Sequence, residues 1–226
     1  MTPPNSQRMA APAWRLARAQ HDVIAHEQLR TLGFSVDAIR HRVRIGRLFA
    51  LWPGVYAVGR PRVSRLGRWK AATLACGPES ALCGESMAAL RGIRSHECRS
   101  VDVAIPARSK RSLAGIRIHR VEGLADHVTQ VQGILVCTIP FVLVQLAARL
   151  GRDSVEEAIN RADKLDLIDP EALLASLEGL RGRPGVARLR RSSTARRFAS
   201  PTRHSSGASA RSPGARDCPN PRWASG

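Results

Sequence analysis

The chain has 226 residues, and Lys plus Arg number 36 against 18 Asp plus Glu, a formal net charge of +18. That length allows one or two compact units, and that charge excludes basic partners and makes a polyanion the default one. The five cysteines form no Cys-x-x-Cys pair and the longest apolar stretch, Ile134 to Leu150, is broken by Thr138, Pro140 and Gln145, which excludes a disulfide scaffold and a membrane-spanning segment.

Residues 1–13 are rich in Pro, Ala and polar types and are expected to form a disordered leader without a secretory signal core. With Cys76, Cys83, Cys98, Cys137 and Cys218 read as reduced thiols, a cytoplasmic protein with no membrane partner is expected. From Trp14 a short helix is predicted to about Gln20, then a second over His26 to Leu32, reached through Val23–Ala25 and stopped at Gly33. Ser35 stands as an N-cap for a third helix from Val36 to Ile45, with Val36, Ile39 and Val43 at i, i+3, i+7 as its buried stripe. Leu48–Trp52, Pro53-Gly54 and Val55–Val58 predict a hairpin. Three short helices and a hairpin are the layout of a winged helix-turn-helix over residues 14–62, in competition with a plain helical unit carrying a hairpin.

Residues 63–198 predict a small α+β unit. Helices are expected over Ser64–Leu74 and Glu79–Leu90, strands over Val101–Ile105, Gly115–Val121 and Gly133–Thr138, and helices over Pro140–Leu150, Ser154–Lys164 and Pro170–Leu180, with Asp169 as a cap. Gly185 to Arg191 can form a further basic helix. Residues 199–226 are expected to be a disordered tail, because from Pro201 onward there is no Val, Ile, Leu, Met or Phe to bury.

Charge divides along the same lines. Residues 1–62 hold ten basic and three acidic side chains, residues 63–180 fifteen and fourteen, and residues 181–226 eleven and one. If Val36, Ile39 and Val43 are buried, the third helix presents Arg40, His41 and Arg44 outward, with Arg42 on its flank and Arg47 opening the hairpin. Arg40 and Arg44 repel as i, i+4 neighbours but suit phosphate or a guanine edge, where arginine bonds in pairs. Ser35 and the first-turn amides suit phosphate, and Arg60 and Arg62 follow the hairpin within reach of backbone or minor groove. Trp52 fits either a hairpin-tip group against sugar and base or a cap on the small core.

Other chemistry finds little support. His21 and His26 have no ligand partners nearby, and His96-Glu97-Cys98 lacks the second pair that zinc needs. No Gly-rich phosphate loop and no Gly-x-Ser-x-Gly elbow occur, and no Glu-x-Lys or Asp-x-Lys exists to complete a magnesium-dependent nuclease motif. A non-enzymatic protein without cofactor or metal is expected.

Residues Gly33 to Gly59, GFSVDAIRHRVRIGRLFALWPGVYAVG, together with SRLGRWKAATLACGP, CGESMAALRGI, VDVAIP, GIRIHR and GILVCTIPFVLVQLAARL in the same order, resemble the AbiEi-type antitoxins. The resemblance covers about residues 14–190. It implies a winged-helix transcription regulator that represses its own promoter and opposes a nucleotidyltransferase-like toxin without necessarily touching it. It also implies Ser35, Arg40, His41 and Arg44 as recognition-helix residues, with Arg47 at the wing. Relatives of this kind often carry a C-terminal region resembling very-short-patch-repair endonucleases, opened by a Pro-Thr-Arg-Ser phrase. Here Pro201-Thr202-Arg203 is followed by His204, and a shifted reading frame would account for that, leaving the tail without an evolved role.

The partner expected from all this is double-stranded DNA at a promoter, read by a homodimer because paired half-sites need two copies. A truncated or inactive nuclease relative, or an interaction module acting on a toxin through the near-neutral middle, are the alternatives.

Overall fold

Ala13 and Ala17, four residues apart and fully buried, anchor the first helix, α1, over Asn5–Ala19. This computed structural model describes residues 5–95 and 100–197. Residues 5–13 are therefore helical and not the expected leader. Five alanines in α1 favour the helix, and the packing of Ala13 and Ala17 outweighs the donor that Pro12 removes inside it.

The chain then forms β1 (Val23–Ala25), α2 (His26–Thr31), α3 (Val36–Arg44), β2 (Leu48–Trp52) and β3 (Val55–Val58). Ser35 Oγ accepts from the Ala38 amide at 3.1 Å, so the predicted cap forms. Val23–Ala25, read in the sequence as a lead-in to α2, is a strand, pairing antiparallel with β3 in a sheet ordered β1-β3-β2. Its residues alternate between two clusters. Ile24 packs with Leu48, Leu29 and Ile39 on the helical side. Val23 packs on the opposite side with Leu51, Val55 and Ala57.

That second side belongs to the main core. α4 (Arg65–Cys76), capped by Ser64 Oγ, lies against all three strands and also against the next sheet. The core thus runs without interruption past residue 62, from Val23 and Val55 through Trp69, Ala72 and Ala75 to Leu82 and Val103.

The expected helix over Glu79–Leu90 is instead β4 (Ala81–Leu82) followed by α5 (Gly84–Leu90). Ala81, Leu82 and Cys83 are completely buried, because β4 is the central strand. It pairs antiparallel with β5 (Val101–Pro106) and parallel with β8 (Ile134–Cys137). β5 pairs parallel with β6 (Ile116–Val121) along its whole length. β8 is the strand predicted over Gly133–Thr138, and it pairs with β7 (Val128–Val131), which is entered from a 3-10 turn at Leu124–His127; the sequence reading has neither β7 nor that turn. The sheet order is β6-β5-β4-β8-β7.

α6 (Ile139–Arg149), α7 (Arg152–Lys164), α8 (Pro170–Ser176) and α9 (Val186–Arg197) close the fold. Pro140 and Pro170 take first-turn positions and Asp169 caps α8 as predicted, but α8 ends four residues early and α9 runs six residues further than expected. The protein is α+β, with several helices and two sheets. Among the described residues no helix is long and apolar enough to cross a membrane. His96-Glu97-Cys98, Cys218 and the predicted tail over 199–226 lie outside the described residues.

Candidate nucleic-acid interface

α3 is rotated from its predicted orientation. Ile39 is buried, but Val36 and Val43 are 37% and 38% exposed. The inward stripe is Ala38, Ile39 and Arg42. The Arg42 guanidinium lies 4.6 Å from the centre of the Phe34 ring and donates to the Ala38 carbonyl at 3.0 Å. An arginine stem and its flat head can roof an apolar cluster, so Arg42 fills the place assigned to a valine. Burial, and the charge of Arg47 beside it, lower its pKa. Arg42 is therefore not on the helix flank available to a ligand.

Arg40, His41, Arg44 and Arg47 are all exposed, as is Ser35. Rotation leaves Val36 and Val43 bordering Arg40 and Arg44, so the outer face is mixed basic and apolar. Arg40 sits 3.4 Å from Asp37, with both side chains mostly in water, a weak pair that a phosphate could displace. An α-helix with its side chains is about 10–12 Å across, which a B-DNA major groove about 12 Å wide admits.

The backbone of Arg47 ties α3 to the hairpin. Its amide donates to the Arg42 carbonyl and its carbonyl accepts from Gly59 at the far end of β3. Arg60 is exposed but tethered, 3.0 Å from Asp22. Trp52 belongs to the main core; its indole Nε1 donates to the Ala114 carbonyl at 2.9 Å, so it caps the core and is not a hairpin-tip contact. His21 meets the Gln132 carbonyl at 2.8 Å and His26 lies near the Tyr56 hydroxyl. Among the described residues, no three His, Cys, Asp or Glu side chains come together as a metal site would need.

No protein-family model matches the chain, and no curated protein matches it.

A second polar cluster was missed in the sequence. Asp102, on β5, is completely buried. Its Oδ1 lies 2.9 Å from His119 Nε2, 3.3 Å from Arg117 and 4.0 Å from Arg149. Its amide donates to Ser86 Oγ at 2.9 Å. Parallel pairing of β5 with β6 sets Asp102 opposite Arg117 and Ala104 opposite His119, which brings the three side chains to one face. The one available signal was an aspartate inside the otherwise apolar run VDVAI.

Proposed function

We propose that this protein is a DNA-binding transcriptional regulator, with residues 14–62 acting as a winged helix-turn-helix, α3 as recognition helix and β2–β3 as wing. The observation that carries this is the outer face of α3. Arg40, His41 and Arg44 point away from the core within little more than one turn, and Arg47 follows at the hairpin. Arg40 and Arg44 are placed to reach guanine edges or phosphates, and the exposed Val36 and Val43 to meet thymine methyl groups. Arg47 and Arg60 serve the backbone. Arg42 is withdrawn from the set.

The order α1-β1-α2-α3-β2-β3 supports a winged helix, since β1 gives the hairpin a third strand and closes the small core. Likeness to the AbiEi-type antitoxins supports repression of its own promoter, action as a dimer and opposition to a toxin without direct contact, in the cytoplasm. We read no catalysis in the chain. Asp102 is ringed by basic side chains rather than by a second carboxylate, which opposes a divalent metal there.

Titration of the intact chain with DNA from upstream of its own gene, against a scrambled duplex across a range of salt, tests this. A preference of about a thousandfold persisting at physiological salt is expected. Equal binding to both, falling steeply with salt, would mean neutralisation of phosphate alone.

A further inference from the structure

We infer that the cavity between β6 and α6 binds a small organic anion, with a single phosphate or carboxylate head on a compact apolar body. The cavity is about 350 Å³, within the range of small-molecule sites. Its walls are largely apolar, from Val121, Phe141, Val144 and Leu146, and its polar lining includes His119, Gln145, Arg149 and Arg183. Among the described residues, no acidic side chain lines it.

The basic side chains have more than one origin. His119 and Arg149 are held from behind by Asp102. Arg120, Arg149 and Arg183 all line the cavity against the one buried carboxylate behind it, which leaves surplus positive charge there, and Arg149 remains 47% exposed. Arg183 comes from a different element and takes no part in compensating Asp102. It donates to the Glu122 carbonyl at 2.9 Å and lies 5.0 Å from the centre of the Phe141 ring. Two arginines with independent anchors therefore line one cavity, where an anion is favoured more than in bulk water.

Close backbone packing sets the walls in place. A Cβ on Gly185 would lie 2.3 Å from the Val144 carbonyl oxygen and 2.6 Å from the Ala148 nitrogen, so the Arg183-Pro184 wall is seated directly on α6. Arg188 holds the same junction through the Ala147 and Leu150 carbonyls at 2.8 and 2.5 Å. On the other side, a Cβ on Gly84 (φ +52°) would lie 3.2 Å from Asp102 Cγ, and the Gly84 amide donates to Gln145 Oε1 at 3.0 Å. Preformed walls keep the ordering cost of binding low.

Calorimetric titration of the intact protein with phenyl phosphate, benzoate, inorganic phosphate and benzyl alcohol tests this without DNA. Phenyl phosphate or benzoate is expected to bind one to one with a Kd of about 1 mM or tighter, and the tighter of the two identifies the head group. Benzyl alcohol and inorganic phosphate should bind at least about tenfold more weakly, since each lacks one half of the recognition. Arg149→Gln and Arg183→Gln should each weaken the better anion at least about tenfold. Ala148→Trp, at an exposed helix position on the cavity mouth, should block it. The double variant Arg40→Gln/Arg44→Gln should bind as the native chain does. Saturation by neither aromatic anion, or binding lost with Arg40 and Arg44 but kept without Arg149 and Arg183, would overturn the inference. If Ala148→Trp fails to fold by circular dichroism, the two arginine variants decide it.

Discussion

The Arg42 guanidinium covers the Phe34 ring at 4.6 Å, while Arg44, two residues on, stands in solvent. One short helix thus uses one arginine as part of its core and keeps another for the outside. Arg42→Ala is expected to cost about 1–3 kcal/mol of stability through lost packing, a lost hydrogen bond and a lost cation–π contact. Affinity of the folded protein for upstream DNA should change little. Arg44→Ala should do the opposite, moving stability by no more than about 0.5 kcal/mol and costing about 1–3 kcal/mol on specific DNA if it meets a guanine. Urea unfolding and fluorescence anisotropy on both variants separate the roles. Equal losses of stability in the two would place Arg44 in the core as well.

Trp52 and Ala114 join the hairpin to the strand that carries His119. Trp52→Phe keeps the ring in the core but removes the indole donor to the Ala114 carbonyl. Ala114 is exposed, so water can take the vacant place. The expected cost is only about 1 kcal/mol, read as a lower urea midpoint at unchanged slope. A drop of several kcal/mol would show that the bond holds the two sheets in register.

What was legible in the sequence was local. Ser35, Ser64 and Asp169 lie in the chain next to the amides they cap, and each cap or helix start was foreseen where it forms. The hairpin about Pro53-Gly54 was legible for the same reason. The strands β1 and β4 were not, because each is two or three residues long and buried on both faces, leaving no alternation to read. The rotation of α3 was hidden because a periodicity argument counts Arg42 as polar, whereas its stem and Phe34 form an apolar unit. The Asp102 cluster draws on Arg117, His119 and Arg149, which meet only once β5, β6 and α6 are assembled. No spacing in the chain records that meeting.

Asp102 is the one completely buried acidic side chain among the described residues. Asp102→Asn preserves the shape and leaves the backbone bond to Ser86 intact. It removes the charge that Arg117, His119 and Arg149 share. The two arginines are nearly half exposed and can be rehydrated, so the expected loss is about 1–3 kcal/mol and not the larger cost of a fully stranded charge. Asp102→Ala should lose more, having also opened a void. Chemical denaturation of the two variants checks the order. A neutral or stabilised Asp102→Asn would mean that the cluster costs stability and is kept for another purpose.

Burial pushes the Cys76 thiol up to about 11 and the completely buried Cys83 thiol well above its ordinary range. The thiolate is the nucleophile, so neither residue should react with iodoacetamide in the native protein at about pH 8. Both should react in urea, with peptide mass spectrometry as the readout. The folded state prefers the thiol form. Its contribution is therefore whole below the ordinary value of 9.0 and is lost as pH rises toward 11. Rapid native alkylation of Cys76 would show that the end of α4 opens readily.

His127 stacks on Phe141 with ring centres 4.9 Å apart, and Arg183 lies over the same ring. Burial first, then the positive charge of Arg183, lowers its pKa below 6.5, with Asp126 opposing weakly. The folded state thus holds His127 neutral, while the unfolded chain takes up a proton near 6.5. Below that pH the unfolded state binds more protons, so stability rises with pH and falls on acidification. His127→Gln, neutral throughout, should lose less stability than the native protein as pH drops below 6.5. Arg183→Gln should soften the same slope by removing the repulsion. Urea midpoints taken at a series of pH values supply the comparison, with the other histidines common to all three proteins. If the three curves ran parallel, the stacked imidazole would have to be already solvated in the folded state.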